Sequence, residues 1–339
     1  MTPIFDTPFC RLAGIPLPII QAPIGGMAVP ELAAAVSNAG GLGMLSVTWD
    51  DPNELDDKLA RMRALTDRPF GVNMILVWPQ EERLRKCVDA GVRIVSFFWG
   101  DPAPLVPIAH AGGAIVLHTV GDAAEARRAV DAGVDVVVAQ GWEAGGHVRG
   151  EVGTLVLIPT VVDAVAPTPV IAAGGIGDGR GLAAVLTMGA SAGWLGTRFV
   201  MSKEAPALPP YRDLLAAADE TSTVYSSVFD VGWPDAPHRT LRNSTIEMWE
   251  AAGRPLPGER PGEGETVATW IDGELIPRYA STSARTGVIG APGDIEALSL
   301  WAGQSVGLID DVRPAGEIVR QLADEAAAAL NAGGSLVRV

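Results

Sequence analysis

The sequence predicts an α/β fold: a (β/α)8 TIM barrel carrying a smaller, partly helical lid. Three observations predict it. Eight apolar runs recur within about the first 200 residues, each too uniformly apolar to alternate between a wet and a dry face, as strands covered on both sides require. A helical stretch separates each run from the next, which is the strand-then-helix repeat of a closed barrel. No early G-x-G-x-x-G motif is present, so closure is favoured over an open, doubly wound sheet.

The runs, in order, are PIIQAPI (18–24), GLGMLS (41–46), FGVNMIL (70–76), RIVSFFWG (93–100), AIVLHTV (114–120), VDVVVAQG (134–141), PVIAAGGI (169–176) and SAGWLGTRF (191–199). Between them lie helix candidates such as PELAAAVSNAG, EERLRKCVDAG and DAAEARRAVDAG. Several close on glycine, the residue that most readily takes the left-handed cap, and Gly91, Gly112 and Gly133 recur every 21 residues, about one βα unit. Composition shifts after about residue 203 to proline, glycine and charge (APALPPY, RPLPGERPGEGET), with RDLLAAADE and RNSTIEMWEAAG as helices between. The expected division is therefore a barrel over 1–204 plus 296–339 and a lid over 205–295, with AGEIVRQLADEAAAALNAG returning as a final helix.

Bulk properties bound the partners. The 339 residues are 48% hydrophobic and carry 25 basic against 40 acidic side chains, a net charge of −15. That suits a globular chain and argues against nucleic acid, which calls for a basic stripe. Cys10 and Cys87 form no C-x-x-C pair, so neither a disulfide framework nor a zinc site is expected. No signal-peptide pattern or membrane-length apolar run is visible, so the expectation is a cytoplasmic protein acting on a small molecule, as a monomer or homodimer, with no membrane partner.

In a barrel, chemistry gathers at the C-terminal ends of the strands. Those ends read Gln21-Ala22-Pro23, Ser46, Asn73, Trp99-Gly100, His118-Thr119, Gln140 to His147, Gly174-Gly175 and Gly196-Thr197. Only Asp101 and Glu143 bring acid near a strand end, poor equipment for glycoside hydrolysis, and no cluster has metal-ligand spacing. Two glycine loops, AAGGIGDGRG after the seventh run and GTRF after the eighth, stand where many barrels bind phosphate. Glycine lets backbone N–H groups approach such a group closely. Amides at Gln21, Asn73 and Gln140 add edge-on hydrogen bonding, so a flat heterocycle with a phosphate tail fits, and FMN is such a molecule. Of the four histidines, His110 reads as a helix-end surface residue and His238 as a lid residue, while His118 could face barrel or loop. His147 stands in a loop too glycine-rich to be a packing element, AQGWEAGGHVRG (139–150), and suits acid–base work near neutrality. In the same loop Trp142 reads as packing and Glu143 as ordering.

Taken in order, QAPIGGMAVPELAAAVSNAGGLGML, RPFGVNM, QGWEAGGH, PVIAAGGIGDGRG and GASAGWLGTRF resemble the nitronate monooxygenase family, formerly 2-nitropropane dioxygenases. The resemblance runs over about 15–205 and resumes at AGQSVGLID (302–310). It implies an FMN-dependent barrel with contacts at Ala22, Pro23, Ile24, Asn73, Gln140, Gly145, Gly146, Gly174, Gly175, Gly196, Thr197 and Gln304. It also implies that His147 is the catalytic residue, a base for neutral nitroalkanes or a positioning group for nitronates. FMN would accept an electron from the nitronate, O2 would regenerate it, and a carbonyl compound and nitrite would leave. The chain departs from the pattern at Thr119, in the aromatic run VSFFWGDP, and in a lid bearing Trp233, Trp249 and Trp270. The alternatives are an NAD(P)H-dependent reductase of the same scaffold, of quinone or enoyl-ACP type, and a non-catalytic binder of a phosphorylated small molecule.

Overall fold

A computed structural model describes residues 3–335 of the chain; residues 1–2 and 336–339, the extremities of the expected barrel span, lie outside the described residues. The strands are β1 Ile19–Gln21, β2 Gly43–Ser46, β3 Phe70–Ile75, β4 Ile94–Phe98, β5 Ile115–Val120, β6 Val136–Gln140, β7 Gly146–His147, β8 Val170–Ala173, β9 Ala192–Leu195, β10 Thr223–Ser226, β11 His238–Leu241, β12 Thr266–Trp270, β13 Leu275–Pro277 and β14 Val288–Ile289. Eight of them, in the order β1-β9-β8-β6-β5-β4-β3-β2, pair in parallel. The ring closes where β1 meets the residue before β2: Leu42 N–H donates to Ile19 O at 2.9 Å, and Gln21 N–H donates to Leu42 O at 3.0 Å. All eight strands are those expected from the apolar runs, and the barrel is a TIM barrel.

Two apolar layers explain why the runs are unbroken. Ile20, Met44, Ile94, Leu117, Val138 and Ile171 fill the interior, and the N-terminal helix Pro8–Ala13 packs Phe9 and Cys10 onto that cluster. Their neighbours along each strand face outward onto the helices, as Ile19, Leu45, Val72, Val95, Val116 and Val137 do. The helices sit close. A β-carbon on Gly43 would lie 1.9 Å from the Ala33 carbonyl oxygen, so the helix Pro30–Asn38 rests directly on β2.

The 21-residue glycine repeat is real at two of its three members. Gly91 and Gly133 take left-handed φ values of 86° and 93°. Gly112 does not: it stays right-handed at the end of helix Val106–Ala111, and the extra residue Gly113 makes the left-handed turn at φ 73°.

The segment 205–295 is partly helical, as expected, and also carries strands that the sequence did not announce. Its helices Pro209–Ala217 and Ser244–Ala251 stand where expected, but five short strands accompany them. β10, β11 and β7 form one antiparallel sheet, and β13, β12 and β14 another. These strands are two to five residues long, and HRTL and TVYS are mostly polar while LIP and VI are apolar but very short, so no extended apolar run announces them. β7 belongs to the barrel's own sixth loop, which makes the first sheet a joint between lid segment and barrel.

The last helix, Ala315–Gly334, buries Ile318, Val319, Leu322, Ala323 and Ala326 against the barrel, and Glu325 Oε2 accepts the Gly179 N–H at 2.9 Å. Among the described residues no helix is long and apolar enough to cross a membrane. Leu322→Ala is expected to lower unfolding free energy by about 2–5 kcal/mol, since a buried leucine leaves a cavity. Urea denaturation measures it, and a change below about 1 kcal/mol would mean the final helix is not packed as described.

Candidate active site

The strand ends open on one cavity of about 670 Å³. Ala22, Pro23 and Ile24 line it from the loop after β1, Asn73 from β3 and Gln140 from β6. Gly145, Gly146 and His147 come from the sixth loop, Gly174 and Gly175 from the loop after β8, and Gly196 and Thr197 from that after β9. Gln304 is the exception. The lining residues of its segment are Gly303 and Ser305, while the Gln304 N–H donates to Glu143 O at 2.9 Å. Its place is structural, because the short helix Gln304–Leu308 turns that side chain away from the cavity.

His147 is held from three directions. Gly146–His147 pairs with β11, Arg239 opposite Gly146 and His238 opposite His147. The Gln140 side chain clamps the loop: its Nε2 donates to His147 O at 2.9 Å and its Oε1 accepts the Arg149 N–H at 3.1 Å. The Glu143 carboxylate accepts the Thr154 N–H at 2.9 Å and its hydroxyl at 2.9 Å, which orders the loop start. Trp142 packs under the Arg239 guanidinium, 4.4 Å from its ring centre, and its carbonyl accepts from Arg239 at 2.9 Å. Gly146 is glycine because its φ is 73°. Gly145 is glycine because a β-carbon there would lie 2.3 Å from Gly303 N.

The imidazole of His147 stacks on Trp233 with centres 3.9 Å apart and planes 30° from parallel, and Trp301 tilts over it at 5.2 Å. Its Nε2 is buried without a hydrogen-bond partner among the described residues. Burial, with a small push from nearby His238, holds His147 neutral with a pKa well below its ordinary value. Trp49, Trp78 and Phe98 extend the aromatic wall, with Trp78 5.2 Å from Trp233. Trp99 packs edge-on to His147 at 6.4 Å from behind that wall, in a left-handed backbone conformation at φ 59° that is costly for so large a residue.

At the opposite end, the backbone N–H groups of Gly175 and Gly196 meet no protein acceptor among the described residues, and Thr197 is the first residue of a short helix with its N–H likewise open. The next helix is closed: Asp178 accepts from Arg180 N and Gly181 N at 2.9 and 3.1 Å. An oxyanion at this end therefore meets the Gly174–Gly175 and Gly196–Thr197 loops rather than the helix Gly179–Thr187. Asn73 is buried and has no side-chain hydrogen bond to a described residue, so its amide is available to a ligand.

Gln21 departs from expectation. Its Oε1 accepts the Met44 N–H at 3.1 Å and its Nε2 donates to Ala22 O, so the amide serves the barrel wall. Gln140 likewise spends both ends of its amide on the loop. The other histidines also resolve. His110 is half-exposed and pairs with Asp135 at 2.9 Å. His118 is buried outside the cavity, while its neighbour Thr119 lines it. His238 is buried, donating from Nδ1 to Ala236 O at 2.9 Å and accepting the Phe229 N–H on Nε2 at 3.2 Å. Sequence reasoning missed Trp301, Arg285 and the Ser281–Ser283 hydroxyls, which reach the cavity from segments with no barrel periodicity.

A closed α/β barrel with glycine loops at one end of its cavity and a neutral, buried imidazole at the other is the framework of a cofactor-dependent oxidoreductase. Comparison with known proteins gives the particular kind. The family model described as nitronate monooxygenase matches residues 6–87 and 78–325. Similar proteins include a Pseudomonas aeruginosa nitronate monooxygenase, 34% identical over 94% of this chain and 98% of that one. A Mycobacterium tuberculosis protein named (3aS,4S,5R,7aS)-5-hydroxy-7a-methyl-1-oxo-octahydro-1H-indene-4-carboxyl-CoA dehydrogenase is 33% identical over 98% of this chain and 99% of its own. Among solved structures, FabK from Thermotoga maritima superposes with a TM-score of 0.82 at 33% identity, covering 98% of this chain and all of that one. The chain belongs to the nitronate monooxygenase family and is an oxidoreductase of that type, and membership implies a flavin.

Burial lowers His118 and His238 to about 4. Both titrate near 6.5 when unfolded, so the unfolded chain binds the extra protons between those values. Stability is full above about pH 6.5 and declines as pH falls toward 4, by on the order of 3 kcal/mol for each imidazole. Thermal melts from about pH 7.5 down to about 4.5 should show this fall, and His118→Asn should flatten it. An unchanged slope in that variant would show that His118 is not held neutral by burial.

Proposed function

We propose that the chain is an FMN-dependent nitronate monooxygenase that oxidatively denitrifies alkyl nitronates with O2, giving a carbonyl compound and nitrite. The observation that carries this reading is the His147 imidazole, neutral, without a partner at Nε2 among the described residues and lining a cavity that also offers open backbone N–H groups.

The residues fit the cofactor. The Gly174–Gly175 and Gly196–Thr197 loops hold the phosphate through backbone N–H groups, and a β-carbon on Gly174 would lie 2.9 Å from the Gly141 carbonyl oxygen, so the close approach of these loops needs glycine. Asn73 supplies an amide to the ring edge. Ala22, Pro23 and Ile24 form a floor under it, and Gly145 and Gly146 let the sixth loop pass close above. Gln140 acts through the loop, by fixing His147. When bound, FMN supplies the electron acceptor and O2 is the terminal oxidant.

His147 meets two kinds of substrate differently. A neutral nitroalkane must give up its α-proton, and a neutral imidazole can receive it. The burial that lowers the pKa of His147 also makes it a weak base, because the imidazolium it would become is poorly solvated. A nitronate has already lost that proton and needs only orientation. The site is therefore matched to nitronates ahead of nitroalkanes.

A second reading has its own support. The relative named a carboxyl-CoA dehydrogenase matches 98% of this chain at 33% identity. In that reading the same scaffold works with NAD(P)H or a thioester. Nitronate-dependent O2 consumption against NAD(P)H consumption with a quinone or enoyl thioester decides between them.

The purified protein is expected to be yellow, with an oxidised-flavin absorbance band and FMN released on denaturation. A colourless protein that ignores added FMN would overturn the cofactor assignment. His147→Asn should slow a neutral nitroalkane by about 10²- to 10⁴-fold, the usual loss for an acid–base group, and its nitronate by far less. Equal, small losses on both would make His147 structural.

A further inference from the structure

We propose that Arg285 docks an oxyanion on the substrate, a carboxylate or phosphate remote from the carbon that reacts at His147. Two cationic side chains line the cavity, Lys58 and Arg285. Lys58 is already matched: its Nζ bonds Asp50 Oδ2 at 2.7 Å and Ser46 O at 2.7 Å. The Arg285 guanidinium makes no ion pair or hydrogen bond within bonding distance to any described residue, while its backbone carbonyl accepts the Val288 N–H at 3.0 Å. Its guanidinium lies over Trp270, 4.5 Å from the ring centre. It also fills the space above Gly26, where a β-carbon would lie 2.1 Å from Arg285 Nε. The fold thus reserves room for this side chain and removes it from much of its water, with only the more distant Asp50 carboxylate, already bonded to Lys58, acting on its charge.

An unmatched guanidinium is costly to desolvate, and its planar fork suits bidentate carboxylate or phosphate. Ser281, Thr282 and Ser283 reach the same cavity from the same stretch of chain, and their hydroxyls make no hydrogen bond to a described residue. They add donors beside the charge.

Position gives the length of the ligand a meaning. Gly26 follows β1 and His147 follows β6, three places apart in a ring of eight strands. A molecule that touches both crosses the cavity mouth. A chain of aromatic rings links the two places: Trp49 beside Gly25, Trp78 5.6 Å from Trp49, and Trp233 5.2 Å from Trp78 and stacked on His147, which suits an apolar body. The substrate class is therefore an elongated, apolar molecule with an anionic end. This rests on the reading that places the reaction at His147 and the cofactor phosphate at the Gly174–Gly175 and Gly196–Thr197 loops.

The test is calorimetric titration of the flavin-loaded protein with two charged and neutral pairs: coenzyme A against pantetheine, and hexanoate against hexanamide. The wild type should bind at least one anion more tightly than its neutral partner. Arg285→Gln should weaken that anion by about 10- to 100-fold, as loss of a charged hydrogen-bond donor does, and leave the neutral partner unchanged. Arg285→Lys should retain part of the preference. The flavin-to-protein absorbance ratio and the melting temperature of both variants should match the wild type. Preference for coenzyme A alone identifies a phosphate-bearing carrier, and preference for hexanoate alone identifies a carboxylic acid. Equal affinity for charged and neutral partners, or an unchanged anion affinity in Arg285→Gln, would overturn the proposal. Loss of flavin from Arg285→Gln would also overturn it, by assigning the arginine to the cofactor. A wild-type protein that holds no flavin counts against the cofactor reading alone, since the comparison of anion with neutral partner still reads Arg285.

Discussion

The candidate site depends on the antiparallel pairing of Gly146–His147 with His238–Leu241. A barrel supplies strands that end in loops, and loops are free to wander. Here the sixth loop is converted into an edge of a sheet, and a polar side chain from the strand beneath it, Gln140, bonds the backbone of His147 and Arg149. The imidazole is thus oriented without a hydrogen bond from a described residue to either of its own nitrogens. Its orientation comes from its backbone and from the Trp233 face stacked on it. That leaves Nε2 uncommitted, the condition for handing a hydrogen bond or a proton to a ligand.

The pairing also joins regions with different sequence character. The barrel is built of uniformly apolar strands that pair in parallel across intervening helices. The lid segment is built of short strands in antiparallel pairs, one of which, β11, also pairs with the sixth barrel loop. Physical separation of tasks follows. The barrel loops carry the glycines and the Asn73 amide, the groups proposed to hold the cofactor. The segment beyond residue 205 and the return at 301–305 bring Trp233, Trp301 and Arg285 to the same cavity, the groups proposed to meet the substrate.

This division explains how much the sequence made legible. All eight barrel strands were readable because burial on both faces forces continuous apolar runs, and the glycine loops were readable because backbone approach excludes a β-carbon. Of the expected contact residues, those on barrel loops reach the cavity. Gln304 does not, since what its segment needs at that point is a backbone donor to Glu143 and a glycine neighbour that fits against Gly145. Gln21 and Gln140 show a related limit: an amide at a strand end looks the same in sequence whether it faces a ligand or its own backbone. The lid strands escaped because HRTL and TVYS have neither apolar alternation nor length. Arg285 escaped because what marks it is the lack of a partner, which only packing reveals.

The joint between lid segment and barrel also has a consequence for the order in which the molecule assembles. Apart from the closing pair β1 and β9, neighbouring barrel strands close loops of a few tens of residues, whereas His147 waits for His238, 91 positions further along the chain. Longer loops cost more entropy to close and are closed later. On the ribosome, the barrel's sixth strand has emerged well before the strand that will fix its loop. Most of the barrel's strand pairs can therefore form before the pairing that makes the imidazole a defined object.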